Sequence, residues 1–318
     1  MAAPPSIVHN PAPPAPEIFM PTSSRIRTYI AAALVLAFVP LFAAAPAADG
    51  VMDKTRLQTM LVDGDTSMVA ATFRRRPGQT LPFIDGYLEG GLKMIEKGGD
   101  GAKPEALNSY RTAIKFAKVA DEAFSTTVFS RYATAFASWS PSEQKSFREG
   151  QRLFRAGMKA AKDDPKAGLA MLRESLALAA PLGDLWGEAM AHQGIAEVSL
   201  KVDDAEHKED AMASSSRAVK LYSQLFMVDD WAQALQLRVA ALRAMGADSS
   251  GVVNLLQDAW NGPLAMPGAD AALVRTVGLE LASAMDEAKI AGGASIRRDV
   301  ERRAPEAPKP TPPAGEGK

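Results

Sequence analysis

From about Asp53 to Ala291, apolar residues recur at helical spacing in one segment after another, and the links between segments are short. Short links force successive helices to run antiparallel, so these two features restrict the fold more than any other. Leu107, Tyr110, Ile114 and Ala117 share one face of a segment that opens at Pro104, a residue suited to a first turn. Val128, Phe129, Tyr132, Phe136 and Trp139 repeat the pattern. Ser140-Pro141-Ser142-Glu143 then offers a capping serine, a first-turn proline and an acid near the positive helix end. Phe147, Phe154, Met158 and Ala161 continue that helix. Asp164-Pro165 starts another, with Leu169, Leu172, Leu176 and Ala179 on its face, and Leu182-Gly183-Asp184 ends it at a glycine able to take a left-handed cap.

The alternation continues downstream. Trp186, Met190, Ile195 and Val198 mark one helix, and Met212, Val219, Tyr222 and Phe226 the next. Trp231, Leu235, Val239, Leu242 and Met245 lie on another, stopped by Gly246. A shorter helix over 252–260 breaks at Asn261-Gly262-Pro263. The last, over 270–291, aligns Leu273, Val277, Leu281, Ala284 and Ala288 before Gly292-Gly293. Val and Ile never alternate as a half-buried strand requires. The expectation is an all-α body over 53–291, an α-solenoid of stacked antiparallel helix pairs.

What precedes this body has a different character. Arg25 and Arg27 stand before an apolar run over 29–45, followed by Ala45-Pro46-Ala47. A basic start, an apolar stretch and small residues at Ala45 and Ala47 fit a secretory signal over 25–47, cleaved before Ala48. The run is nearly long enough to remain as an uncleaved membrane anchor. Residues 1–24, rich in Pro and Ala, read as a disordered extension, and Met20 offers an alternative start. The expected location is periplasmic or secreted, with membrane attachment only if the segment stays uncleaved. The chain has no cysteine, which removes disulfides, thiolate metal sites and a cysteine nucleophile. A net charge of −1 argues against bulk-charge binding of nucleic acid. Beyond Gly293 the chain carries Arg297, Arg298, Arg302 and Arg303 and then a Pro-, Gly-, Glu- and Lys-rich stretch. Residues 294–318 read as a solvated, basic, proline-rich tail; the alternative is contact with anionic envelope polymers or lipid headgroups.

Small residues recur where two helices would cross. Gly157 and Gly194 stand 37 residues apart in alternate helices, and the partner helices carry Gly168 and Ser175, then Ala211 and Ala218. On these positions the chain resembles the tetratricopeptide-repeat family, whose unit is about 34 residues. The clearest unit spans 185–225, with Gly194 at the family's small position of the first helix. Ala211 and Ala218 fall at small positions of the second if 201–210 is a long turn. The flanking units over 147–182 and 231–260 match more loosely, and 53–140 keeps only the helix-pair pattern. The family's usual aromatic and proline positions are mostly missing. The resemblance implies a groove lined by the first helix of each pair. It places Gln151, Phe154 and Met158 on that groove in one unit and Glu188, Ala191 and Ile195 in the next, with core packing the alternative for Phe154, Met158 and Ile195.

Catalytic signals are sparse. His9 lies in the N-terminal extension, and His192 and His207 lack a second ligand at helical spacing, so no zinc site is expected. Asp63-Gly64-Asp65-Thr66-Ser67 starts like a calcium loop, but Arg74 stands at the twelfth position; a helix break fits better. The acidic stretch over 203–210 reads as a solvated turn. Arg74-Arg75-Arg76 suits either an acidic partner or the negative end of a helix. Gly86, Gly90 and Gly91 allow close helix approach, with no phosphate-loop lysine after them. No catalytic residues, cofactor or metal are expected. The expected function is a non-catalytic interaction or scaffold module of the bacterial cell envelope, binding a protein or peptide. The alternatives are an enzyme accessory or hydrolase acting on envelope polymers, and a carrier of a lipid or small apolar ligand.

Overall fold

The computed structural model describes residues 52–202, 204–265 and 271–305, and among these no strand occurs. The helices are α1 (Lys54–Val62), α2 (Thr66–Arg75), α3 (Pro77–Gly98), α4 (Lys103–Phe124), α5 (Val128–Ser138), α6 (Pro141–Ala160) and α7 (Pro165–Leu182). They continue as α8 (Leu185–Ser199), α9 (Ala205–Gln224), α10 (Val228–Ala244), α11 (Ser249–Asn261), α12 (Ala271–Glu287) and α13 (Gly293–Arg303). The segments expected to form the signal, with Ala45 and Ala47, and the N-terminal extension lie outside the described residues, as do 306–318.

One device starts six of these helices. The side chains of Asp53, Ser140, Asp164, Asp184, Asp204 and Asp248 each accept a hydrogen bond from the backbone N–H three residues on. Each bond satisfies an amide that has no partner within its helix. At Ser140 the bond is reciprocated, because Glu143 accepts from the Ser140 N–H at 2.7 Å. Gly183 and Gly246 end α7 and α10 at φ +66° and +79°. Gly64, at φ +86°, makes the break between α1 and α2; Asp65 stands at the cap position there without a side-chain bond. Arg74 serves a helix end, although not its own: its Nε donates to the Ala123 carbonyl in the last turn of α4 (3.1 Å).

Most helices pack mainly on their chain neighbours, and alternate helices also touch: α2 with α4, which is the main contact of α2, α3 with α5, α6 with α8, α8 with α10, and α10 with α12. That pattern is the signature of stacked helix pairs. The stack also folds on itself. The start of α3 lies against the start of α10, where a Cβ on Gly78 would stand 3.7 Å from the Val228 nitrogen. One large core consequently joins the early helices to the late ones, while Ala161, Leu169, Leu172, Ile195 and Val198 form a small core of their own within α6–α8.

The small residues sit at the crossings. A Cβ on Gly157 would come within 2.9 Å of Leu172 Cγ and 3.0 Å of the Gly168 carbonyl; one on Gly168 would come within 2.5 Å of Ala161 Cβ. Ala211 and Ala218 are fully buried, and Ser175 donates to the Gly150 carbonyl at 2.8 Å.

Four expectations need correction. Residues 294–303 are helical rather than a solvated tail, because Ile296, Val300 and Ala304 make a stripe that α12 can cover; Val300 is fully buried. The turn expected over 201–210 is shorter, since the Asp204 cap starts α9 at Ala205. Leu107 is exposed, and Ala106 takes the inward position on α4, where its carbonyl stands 3.0 Å from the notional Cβ of Gly91 on α3. Of Gly86, Gly90 and Gly91, only Gly91 makes a tight approach to another helix, with Tyr110 Cε1 2.6 Å from its notional Cβ; Gly86 faces open space and Gly90 lies 4.0 Å from Ser109.

Candidate functional site

The first helices of successive pairs, α6, α8 and α10, lie beside one another, and between them is a concavity of about 190 Å³. α6 contributes Phe154 and Met158; α8 contributes Trp186, Met190, Gln193 and Glu197. Tyr222 of α9 and Asp230 of α10 complete the lining. Gly194 sets the geometry: a Cβ there would approach Met158 Sδ to 3.0 Å, Leu172 Cδ2 to 3.1 Å and the Phe154 ring to 3.3 Å. Without a side chain at 194, Phe154 and Met158 can lie flat on α8 instead of being pushed outward.

The expected groove residues divide. Phe154 and Met158 line the concavity, half-buried. Ala191 and Ile195 are buried and are packing residues. Glu188 is withdrawn and held by Arg217, whose Nη2 and Nε donate to its Oε1 at 2.7 and 3.0 Å. Gln151 is tied elsewhere, donating to Glu89 Oε1 at 2.6 Å and accepting from Arg148 Nη1 at 2.9 Å. Trp186, Met190, Gln193 and Glu197 were missed as lining residues, although they form a stripe one turn or less apart. α8 is apolar on nearly every side, because α6, α7, α9 and α10 surround it, and such a helix does not reveal which stripe faces outward.

Charge at the concavity is negative. Burial, helped by the neighbouring Asp229, raises the Asp230 carboxyl above its ordinary range. Asp230 makes no ion pair among the described residues. Glu197 accepts from Lys201 Nζ at 3.0 Å, both side chains being largely exposed. On the neighbouring flank of α8, burial lowers the His192 imidazole, whose Nδ1 has no hydrogen-bond partner; its Nε2 is 4.0 Å from Glu188.

A second polar group lies between α3, α5 and the start of α8, with Tyr132 and Asp184 buried and Asp85 partly so. Tyr132 OH donates to Asp85 Oδ1 at 2.8 Å, close to Asp184, which caps α8 through Gly187 N–H at 3.0 Å. Burial raises the Asp85 carboxyl to about 7 and that of Asp184 to about 6. Burial would also raise Glu89, but hydrogen bonds from Arg148 and Gln151 outweigh it and hold Glu89 below the usual carboxylate range. Carboxyls shifted this far toward neutrality are common where proton transfer occurs and in buried structural clusters alike. An open cleft of about 510 Å³ has Tyr132 in its wall together with Thr127, Arg131, Leu185, Gln224 and Phe226, while the two carboxyls lie behind that wall and do not line it. The Tyr132–Asp85 bond joins α5 to α3, and Asp184 starts α8 beside them. No clustering of three or more His, Asp or Glu side chains suited to a metal occurs among the described residues, and none of the described helices is long and apolar enough to cross a membrane.

Compared with protein families, curated proteins and solved structures, the chain matches none. Fold and site together define an all-helical array of stacked helix pairs with an acidic-edged apolar concavity on alternate helices.

Proposed function

We propose that this protein is a non-catalytic docking module of the tetratricopeptide-repeat type, which holds a protein or peptide partner on the stripe formed by α6, α8 and α10. The observation that carries the reading is the gathering of Phe154, Met158, Trp186 and Met190 into one half-buried concavity on the first helices of successive pairs. Repeat arrays bind on that side because successive first helices present a continuous row of side chains. Placement in the bacterial envelope rests on the basic, apolar and small-residue succession over 25–47.

Photo-crosslinking in intact cells tests the docking role. A photoreactive residue in place of Met190 should capture one or a few envelope proteins, and the same residue at exposed Glu174 on α7 should not. Equal, diffuse capture from both positions would remove the reading. N-terminal sequencing of the recovered protein tests export, with Ala48 the expected first residue.

A further inference from the structure

We infer that the concavity between α6 and α8 receives a basic side chain, arginine or lysine, presented by the docked partner, with Asp230 as its counter-charge. The inference rests on the docking reading above and specifies what the partner must bring.

Three features of the concavity converge on this occupant. Its walls are two thioethers, Met158 and Met190, and two aromatic rings, Phe154 and Trp186. Thioethers adapt to a flexible aliphatic stem, and ring faces attract a guanidinium or ammonium. At about 190 Å³ the space suits one long side chain rather than a helix or an acyl chain. Its charged lining residues are Glu197 and Asp230, both acidic, and no Lys, Arg or His lines it. Glu197 already has Lys201, whereas Asp230 has no ion pair among the described residues.

Asp230 also faces inward: its charge is felt by the buried phenol of Tyr222, which forms part of the same lining. A carboxylate half withdrawn from water strongly favours a cation over a neutral group. A neutral apolar side chain entering the same space would strip the remaining water from Asp230 and return no bond. An acidic one would add repulsion. The site thus discriminates among partners by charge while taking most of its contact area from apolar atoms.

The test uses the purified full chain carrying 13C-methyl methionine, titrated with N-acetyl-arginine methylamide. The lysine, norleucine and glutamate analogues serve as comparisons. The expected result is saturable movement of the Met158 and Met190 methyl signals with the arginine and lysine probes. Norleucine should bind at least about tenfold more weakly, and glutamate not at all. Asp230→Asn should weaken the arginine probe by about tenfold while leaving norleucine no weaker than before. Equal affinity for norleucine and arginine overturns the inference without recourse to any variant. So does movement of exposed Met68 and Met245 as large as that of Met158 and Met190, or an Asp230→Asn protein that binds arginine as before. Should the probes behave as expected while Met190 crosslinks no partner, the docking reading falls and the pocket's preference stands. Should a partner crosslink at Met190 with equal yield in Asp230→Asn, docking stands and this inference falls.

Discussion

The ring of Phe226 stacks on that of Phe124, centroids 4.5 Å apart and planes at 25°, and also on Phe129 at 5.8 Å. Phe226 does so from a left-handed backbone conformation, φ +57°, at the turn between α9 and α10. Glycine is the usual residue there, because a Cβ at positive φ is strained. The ring is what offsets that strain, since it ties the α9–α10 turn to α4 and α5 and helps fold the stack upon itself.

This arrangement predicts an inverted order of substitution. Phe226→Gly loses the ring contacts but relieves the backbone, for a net loss of about 2 kcal/mol. Phe226→Ala loses the same contacts and keeps the strain, so it should be the less stable of the two by about 1 kcal/mol. Urea unfolding distinguishes them; an alanine variant at least as stable as the glycine variant would contradict the account.

Three glycines should respond in opposite directions. Gly157→Ala forces a methyl against the Gly168 carbonyl and Leu172, which cannot retreat without parting α6 from α7, and about 2–3 kcal/mol should be lost. Gly194→Ala meets the ends of flexible side chains and should cost less, about 1 kcal/mol, while displacing Met158 into the concavity. Gly86→Ala meets nothing within 4 Å, and its better helix propensity should stabilise by up to about 1 kcal/mol. Thermal melts of the three variants, side by side, check the ranking.

Acidity should stabilise the protein through Asp85. Its carboxyl is raised from an ordinary 3.8 to about 7 in the folded chain. Between those values the folded state holds a proton that the unfolded state has released, so this contribution to stability declines as pH rises through the interval. Asp184, raised to about 6, acts in the same direction. Asp85→Asn keeps an acceptor for Tyr132 and cannot ionise. It should therefore flatten the pH profile between about 4 and 7 and gain stability at pH 8, on the order of 1 kcal/mol or more. Denaturant midpoints at pH 5 and pH 8 for both proteins decide it, and parallel profiles would refute the assignment.

α13 should be integral to the body rather than dispensable. Val300 is fully buried against α12, and Arg303 lies over the Trp260 ring with its guanidinium carbon 4.2 Å from the centroid. Val300→Asp places a charge where no partner waits, and should detach α13 and cost several kcal/mol, about 3 or more. Trp260 should then become accessible to a fluorescence quencher. Unchanged quenching with unchanged stability would mean that α13 contributes little.

Several helix starts and stops in the middle of the chain were legible in the residues. Asp164-Pro165, Leu182-Gly183-Asp184 and Ser140–Glu143 act through bonds to their own neighbours, so their meaning needs no distant contact. The small residues Gly157, Gly168 and Gly194 were legible as well, because close crossing leaves few alternatives. Placement of α13 was harder: four arginines in a short stretch mask the spacing of Ile296, Val300 and Ala304.

The candidate site followed a different logic. Ile195 and Met190 are equally apolar and lie on one helix, yet Ile195 is sealed beneath α6 and α7 while Met190 borders open space. Asp85 and Asp184, 99 positions apart, each hold a raised carboxyl only because burial follows when α3 and the start of α8 are brought together. Local hydrogen bonding and side-chain size act within a few residues, so the order of the chain contains them. Which stripe of a helix stays uncovered, and which distant carboxyls share one patch of low dielectric, depends on how the helices stack, and no short stretch of residues holds that information.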